Sequence, residues 1–145
     1  MSKKQKGGNK RLEVNPKKQP KNAQQDNIRE RLAQIQDTEN IEEIIELTRH
    51  ESALVRLKAA QQMCPCHVQC DQPDFWNRLF ELAQDEDESV RAQVLHNMCD
   101  GSPPGYEDRI IECLEIFNRD PCTEIRRKAH KVMASYLRTG EWNVL

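Results

Sequence analysis

The sequence contains no long apolar run and few aromatic residues. Tryptophan, tyrosine and phenylalanine together make up 5% of the 145 residues. No stretch approaches the roughly 20 apolar residues that a membrane span requires. The N-terminal sequence MSKKQKGGNK also lacks the apolar region of a signal peptide. We therefore predict a cytoplasmic protein with no membrane partner.

Motifs of the common catalytic centres are missing as well. The chain has no Gly-rich phosphate loop, no G-x-S-x-G turn and no H-E-x-x-H helix. It offers no Cys/His arrangement with a clear orienting acid. We predict that the protein is not an enzyme and binds no cofactor.

Charge is distributed unevenly along the chain, whose formal net charge is −2. Residues 1–25 hold seven lysines and Arg11 against Glu13, a net charge of +7, which leaves −9 on residues 26–145. Because residues 1–25 contain few aliphatic side chains, they cannot bury enough apolar surface to offset the entropy of ordering. We predict a disordered basic tail at 1–25 and a folded domain at 26–145. The tail either binds nucleic acid, the ribosome or an acidic protein surface, or it is only a solubilising extension.

Half of the six cysteines lie in CPCHVQC at residues 64–70. Without an export signal, the cysteines are predicted to be reduced thiols. The candidate zinc ligands are Cys64, Cys66, His67 and Cys70, but structural zinc sites use ligand pairs that are far apart in sequence. A redox-sensitive thiol pair is a second alternative. We predict packing rather than a metal site here, and packing or surface positions for the isolated Cys99, Cys113 and Cys122.

One stretch of sequence occurs three times at a fixed spacing of 35 residues. It reads LVRLKAAQQMC at 54–64, SVRAQVLHNMC at 89–99 and EIRRKAHKVMA at 124–134. A period of about 20–50 residues without gaps is the signature of a stacked repeat array. The shared apolar positions are four residues apart, which places them on one face of a helix.

A second apolar pattern precedes each of these stretches with the same period. Its residues are Ile41, Ile44 and Leu47, then Trp76, Leu79 and Leu82, then Ile111, Leu114 and Phe117. The three-residue spacing also places them on one helix face, so each unit is predicted to be a helical hairpin. Between the two helices lies His50, Asp85 or Asp120, and we predict that this residue caps the second helix.

The two helices per unit, the acidic turn residue and the Val/Ile-Arg pair that opens the second helix resemble the HEAT-repeat family of armadillo-type folds. The resemblance covers about residues 38–138 and includes the short HEAT-like form. Tetratricopeptide repeats have a similar period, but their Trp, Leu-Gly and Tyr pattern is absent from the first helices. The resemblance implies an all-α fold, a short right-handed α-solenoid of three HEAT-like hairpins.

The segments that flank the repeats are predicted to close the two ends. Residues 27–36 carry Ile28, Leu32 and Ile35 at helical spacing, which predicts an N-terminal capping helix. Gly140 is typical of a helix end. The last residues are predicted to fold back over the third hairpin, with an exposed docking peptide as the alternative, through Trp142, Val144 and Leu145. We predict a monomer.

The repeated arginines are architectural if the resemblance holds. In HEAT repeats the matching arginine pairs with the acidic turn residue of its own or an adjacent unit, which here implies Arg91, Arg126, Asp85 and Asp120. Positions that differ between units are better candidates for recognition. The second helices of the family line the concave surface, and the predicted binding residues there are Lys58, Gln61, Gln62, Gln93, His96, Asn97, Arg127, Lys128 and Lys131.

These observations predict a non-catalytic scaffold or adaptor that binds a protein partner on the concave face. The alternative is a nucleic-acid-binding or ribosome-associated protein that contacts phosphates through the tail and the basic third unit.

Overall fold

The computed structural model describes residues 21–65, 72–102 and 104–145. Every regular element in these stretches is an α-helix, which confirms the all-α class. The helices are α1 (Lys21–Asp37), α2 (Ile41–Leu47), α3 (Ala53–Gln62), α4 (Pro73–Leu82), α5 (Glu88–Cys99), α6 (Glu107–Phe117) and α7 (Thr123–Thr139). Within the same stretches, no helix combines the length and the apolar character that crossing a membrane requires.

The six helices after α1 form three consecutive hairpins. In each of them the first helix packs on the second, α2 on α3, α4 on α5 and α6 on α7. The first helices contact one another in the order α2, α4, α6, and the second helices do so in the order α3, α5, α7. The hairpins therefore lie side by side in two layers, a layer of first helices and a layer of second helices.

The core lies between these two layers. Phe75, Trp76 and Phe117 on the first helices are fully buried, and they pack in one cluster with the repeated positions Val55 and Val90 of the second helices. Complete burial of one such side chain stabilises the fold by about 1.5–3 kcal/mol before the loss of conformational entropy is counted. The hairpins are thus joined by a continuous apolar interior.

The second helices begin two residues later than predicted. Their N-terminal caps are Ser52, Asp87 and Cys122, and of these Asp87 accepts hydrogen bonds from the amides of Ser89 and Val90. Asp85 and Asp120 instead accept the amide N–H two residues further on, at 2.9 and 2.8 Å. The cap prediction was wrong because an aspartate can close a tight turn on its own backbone just before a helix.

The capping helix at the N-terminal end is confirmed, with an earlier start. α1 packs on α3 and α2 through Ile35, which is 3% exposed, and through the partly buried Ile28 and Leu32. It begins at Lys21, whereas the folded domain was predicted to begin at residue 26. Residues 21–25 are helical and exposed, so no buried apolar pattern in the sequence marks this part of the helix. The rest of the predicted tail, residues 1–20, lies outside the described residues.

The fold-back at the other end is also confirmed. α7 ends at Gly140, whose left-handed backbone conformation (φ 76°) suits glycine. The chain then reverses so that the Trp142 ring stacks on Tyr136, with ring centres 4.5 Å apart. Trp142 and Val144 pack against the core, while Leu145 stays 40% exposed. This segment covers part of the third hairpin.

Candidate functional site

An arginine near the start of α3 joins the first hairpin to the second. Arg56 donates from Nη1 to the carbonyl oxygens of His50 and Glu51, in its own turn, at 3.0 Å each. Its Nε and Nη2 donate to the two carboxylate oxygens of Asp85, in the next turn, at 2.9 and 3.1 Å. This hydrogen bonding raises the pKa of Arg56 above its ordinary value, although burial opposes the effect. We call such an arginine–aspartate pair between hairpins a rung.

The second rung repeats the first one and joins the second hairpin to the third. Arg91 donates from Nη1 to the carbonyl oxygens of Asp85 and Glu86, and from Nε and Nη2 to Asp120 at 2.7 and 3.1 Å. Burial alone raises the pKa of Asp120, but hydrogen bonds from Arg91 and the Cys122 amide, together with nearby positive charge, bring it below its ordinary value. Asp120 therefore stays ionised in a buried setting. The architectural role implied for Arg91, Asp85 and Asp120 is confirmed.

The third arginine of the series forms only half of a rung. Arg126 donates from Nη1 to the carbonyl oxygens of Asp120 and Pro121, as its two counterparts do in their own turns. Its Nη2 donates to the Thr123 hydroxyl at 3.0 Å. Within residues 21–65, 72–102 and 104–145, no carboxylate reaches its guanidinium. Among the residues that the structure describes, Arg126 therefore lacks the carboxylate partner that the resemblance implied.

His50 takes the place of the aspartate in the first turn. Its Nδ1 accepts the Ser52 amide N–H at 3.0 Å, the same bond that the aspartates make with an oxygen. Because Nδ1 is an acceptor, the ring proton lies on Nε2, which donates to Asn27 Oδ1 of α1 at 3.0 Å. The histidine therefore closes the turn and joins the first hairpin to the capping helix.

Six of the nine predicted binding residues are exposed on the second helices, which lie side by side. We call this set of exposed residues the second-helix face; its members are Lys58, Gln61, Gln62, His96, Lys128 and Lys131. The contacts that these side chains make are local, since Lys58 donates to Gln61 at 3.2 Å and Lys128 pairs with Glu124 at 2.9 Å. Gln93 lies on the same row and is half-buried. The face is polar and carries more positive than negative side chains.

Asn97 does not belong to this face, and its prediction as a binding residue was wrong. The side chain is fully buried, donates to the Ala60 carbonyl at 2.8 Å and accepts from Gln93 at 2.9 Å. It therefore links α5 to α3. The equivalent position in the third unit is Val132, which is also buried. The equivalent position in the first unit is the exposed Gln62, so the repeat alone did not reveal that Asn97 points inward.

Arg127 is exposed, but it lies on another side of α7. Its counterparts one and two periods earlier are Ala92 and Leu57, which are partly buried against the core. The position therefore faces the side on which a following hairpin would pack. Arg127 belongs to the outer surface of the last hairpin and not to the second-helix face.

A cleft at the N-terminal end was not predicted from the sequence. It has a volume of about 320 Å³ between α1 and α2 and is lined by Arg31, Gln34, Glu43, Glu46, Leu47, Arg49 and His50. Its polar groups satisfy one another, for example Thr38 with Glu43 at 2.7 Å and Arg31 with Gln34 at 2.8 Å. Gln34 also donates to Glu43 at 3.5 Å, a bond that joins α1 to the first hairpin.

The cysteines in the helices have no catalytic character. Cys99 is 1% exposed and Cys113 is 6% exposed, and burial raises their pKa values to about 12 and about 11. Both are free thiols and stay protonated at neutral pH, so neither provides a thiolate nucleophile. Cys122 is free and half-buried. The predicted packing role of Cys99 and Cys113 is confirmed.

The prediction that all cysteines are reduced was wrong for Cys64, which is disulfide-bonded and half-buried just after the end of α3. The prediction relied on the missing export signal, whereas a disulfide requires only two sulfur atoms within bonding reach. The other zinc candidates, Cys66, His67 and Cys70, lie outside the described residues. A disulfide sulfur offers no thiolate to a metal. Elsewhere in the described stretches, no group of three or more His, Cys, Asp or Glu side chains is placed to hold a metal ion.

Comparison of the chain with protein-family models, with curated proteins and with solved structures found no match.

Proposed function

We propose that the protein is a non-catalytic adaptor, a short right-handed α-solenoid of three HEAT-like hairpins that binds a protein segment on its second-helix face. One observation carries this proposal. The side chains that repeat in every unit pack in the core or, for Arg56 and Arg91, form rungs. In contrast, Gln61, His96 and Lys131 occupy equivalent exposed positions and differ in chemistry. Such a division is expected of a repeat array that recognises a specific ligand.

The rungs favour this use of the face because they hold neighbouring hairpins in one arrangement. A surface that is ordered before binding loses little conformational entropy when a partner docks. Arg56 and Arg91 are buried or nearly so and bind their aspartates in two-point fashion. The second-helix face is therefore presented as a rigid surface.

The chemistry of the face favours a partner segment with acidic and neutral polar side chains. Lys58, Lys128 and Lys131 are exposed on it, and only Lys128 has a carboxylate partner among the described contacts. Polar surfaces of this size bind modestly, so the basic residues 1–25 add a second attachment point.

Site-specific photocrosslinking tests the proposal. A photoreactive amino acid is placed at position 61 or 96 of the full chain, with position 115 on α6 as the matched exposed control. In nuclease-treated lysate of the cells that express the chain, we expect the same discrete protein to crosslink at 61 and 96 and not at 115. Equal crosslinking at all three positions, or none at 61 and 96, contradicts the proposal.

A second candidate function is binding of nucleic acid or the ribosome through the tail and the third unit. It is favoured by Arg127, Lys131 and Arg138 on α7, none of which has an acidic partner within the described part of the chain. This function predicts affinity that falls steeply with salt and that disappears when residues 1–25 are removed. Gel-shift titrations of both chain lengths at two salt concentrations measure these effects.

A further inference from the structure

α7 exposes a surface that is buried between hairpins elsewhere in the fold. The positions equivalent to His130 are Ala60 and Leu95, both fully buried, and the position equivalent to Ala134 in the second unit is Cys99, which is 1% exposed. On α7 both His130 and Ala134 are exposed. We call the outer side of α7 the end face; its members are Arg126, Arg127, His130, Ala134 and Leu137.

The end face contains a guanidinium that is already oriented for a carboxylate. In both rungs, two carbonyl oxygens hold Nη1 of the arginine while Nε and Nη2 bind the aspartate. Arg126 keeps the two carbonyl bonds, so its guanidinium is held in the same way. Its Nε has no acceptor in the described stretches. The arrangement is a rung that lacks its acid.

We propose that the end face is a docking site for an acidic segment of a partner protein, in which an Asp or Glu carboxylate binds Arg126 as Asp85 binds Arg56. Arg127 and His130 on the neighbouring turns supply further cationic and polar groups. Leu137, 78% exposed on the same helix, offers an apolar contact to the partner. The docked segment completes the series of rungs.

The choice of a carboxylate over a phosphate comes from the two complete rungs. They show that this guanidinium, held by this pair of carbonyl oxygens, binds a planar two-oxygen group at 2.7–3.1 Å. Planar two-point pairing of this kind matches the fork of arginine to a carboxylate. A nucleic-acid phosphate on the same group is therefore the competing outcome in the test.

A second copy of the chain does not supply this carboxylate from the matching position. In the first turn, the position equivalent to Asp85 and Asp120 is His50. Its two ring nitrogens are already hydrogen-bonded to Ser52 and Asn27. The capping helix α1 also covers that end of the stack. The end face is separate from the second-helix face, so this proposal goes beyond the adaptor function and is tested without it.

The experiment uses the full-length chain labelled with ¹⁵N and observes the Arg126 Nε–Hε signal by NMR. The probes are octa-aspartate with blocked ends and octauridylate, which carry similar numbers of negative charges. We expect octa-aspartate to shift the Arg126 Nε–Hε signal together with the backbone amides of residues 123–131. Octauridylate is expected to need a higher concentration for the same shift.

Two charge-conserving variants separate a fitted site from general attraction. Arg126→Lys is expected to weaken octa-aspartate binding about fivefold to tenfold, because a lysine cannot make two-point contact with a carboxylate. Arg138→Lys, an exposed change on the same helix, is expected to alter it less than about twofold. If Arg126→Lys does not fold, the wild-type Nε–Hε shift decides the question.

Four results overturn the proposal. They are no shift of the Arg126 signal at saturating octa-aspartate, no binding of octa-aspartate in the millimolar range, equal weakening by both lysine variants, and a shift of the Arg126 signal by octauridylate at lower concentration than by octa-aspartate.

Discussion

The two ends of the helical stack differ in how they complete the repeat. At the N-terminal end, α1 covers the first hairpin, and His50 replaces the turn aspartate and bonds to Asn27 of that helix. At the opposite end, Trp142 and Val144 cover part of the third hairpin, while Arg126 and its exposed neighbours remain uncovered. At the first end the turn histidine is hydrogen-bonded within the stack, whereas at the other end Arg126 has no carboxylate partner among the described residues. We proposed above that this end docks an acidic segment of a partner protein.

The largest expected effect comes from breaking an interior rung. Asp120→Ala leaves the buried Arg91 guanidinium without its partner, so we expect the free energy of unfolding to fall by about 3–5 kcal/mol. Urea denaturation followed by circular dichroism measures this. Glu115→Ala, an exposed change on α6, serves as the control and is expected to change stability by less than about 0.5 kcal/mol. Equally small losses of unfolding free energy in the two variants would show that the rung does not stabilise the fold.

The second prediction compares an apolar side chain at each end. Ile35 of α1 is 3% exposed, whereas Leu137 of α7 is 78% exposed. Ile35→Ala removes buried methyl groups and leaves a cavity, which costs about 2–4 kcal/mol. Leu137→Ala is expected to change stability by less than about 0.5 kcal/mol. Similar losses in the two urea titrations would mean that the C-terminal end is covered as fully as the other.

A third prediction compares equivalent arginines within the series. Arg91→Lys loses the two-point bond to Asp120 as well as the carbonyl bonds, so we expect a loss of about 2 kcal/mol. Arg126→Lys loses carbonyl and hydroxyl contacts at a more exposed position, for an expected loss below about 1 kcal/mol. Thermal unfolding of the two variants at the same pH measures the difference. A larger loss for Arg126→Lys contradicts the distinction between the complete and the open rung.

The smallest predicted effect is on the pH dependence of stability. Because the pKa of Asp120 is lower in the folded chain than its ordinary value, the unfolded chain takes up the proton first as pH falls. Asp120 therefore stabilises the fold above about pH 3.9, and this stabilisation is lost as pH falls through the lower folded pKa. We expect the stability of Asp120→Asn to decline less steeply below about pH 4 than that of the wild type.

Urea titrations between about pH 5 and pH 2.5 measure the two slopes. Asp108→Asn provides the control, because Asp108 is exposed and its side chain has no partner in the described stretches. A steeper acid decline for Asp120→Asn than for the wild type would contradict the account.

The hairpins could be predicted from the sequence because a 35-residue period fixes which positions pack together. Apolar spacing located α2 and α4, and it also identified the face of α1 that carries Ile35. The turns were predicted less well, since Asp85 and Asp87 are two residues apart and both are good caps. The conformation of the backbone in the turn determines which of the two aspartates accepts hydrogen bonds from the first amides of the helix.

In the candidate site, the exposure of a side chain could be predicted where equivalent positions share the same environment. It could not be predicted where contacts with a neighbouring helix determine burial. Lys58 and Lys128 are exposed as their shared position predicted, whereas Asn97 is buried between α5 and α3. The histidine at position 50 is a further case. Its ring reproduces the aspartate turn with a nitrogen acceptor, a substitution that letter-by-letter alignment does not recognise.

The most direct test of the account is hydrogen exchange at the guanidinium groups of the free protein, measured by ¹⁵N NMR on the Nε–Hε signals. Arg56 and Arg91 each donate this hydrogen to a carboxylate in a nearly buried pair, while Arg126 Nε has no acceptor in the described part of the chain. We expect exchange to be at least about tenfold slower for Arg56 and Arg91 than for Arg126, since hydrogen-bonded, buried groups exchange only on opening. Equal exchange rates for all three arginines would contradict the claim that the stack has two complete rungs and one open one.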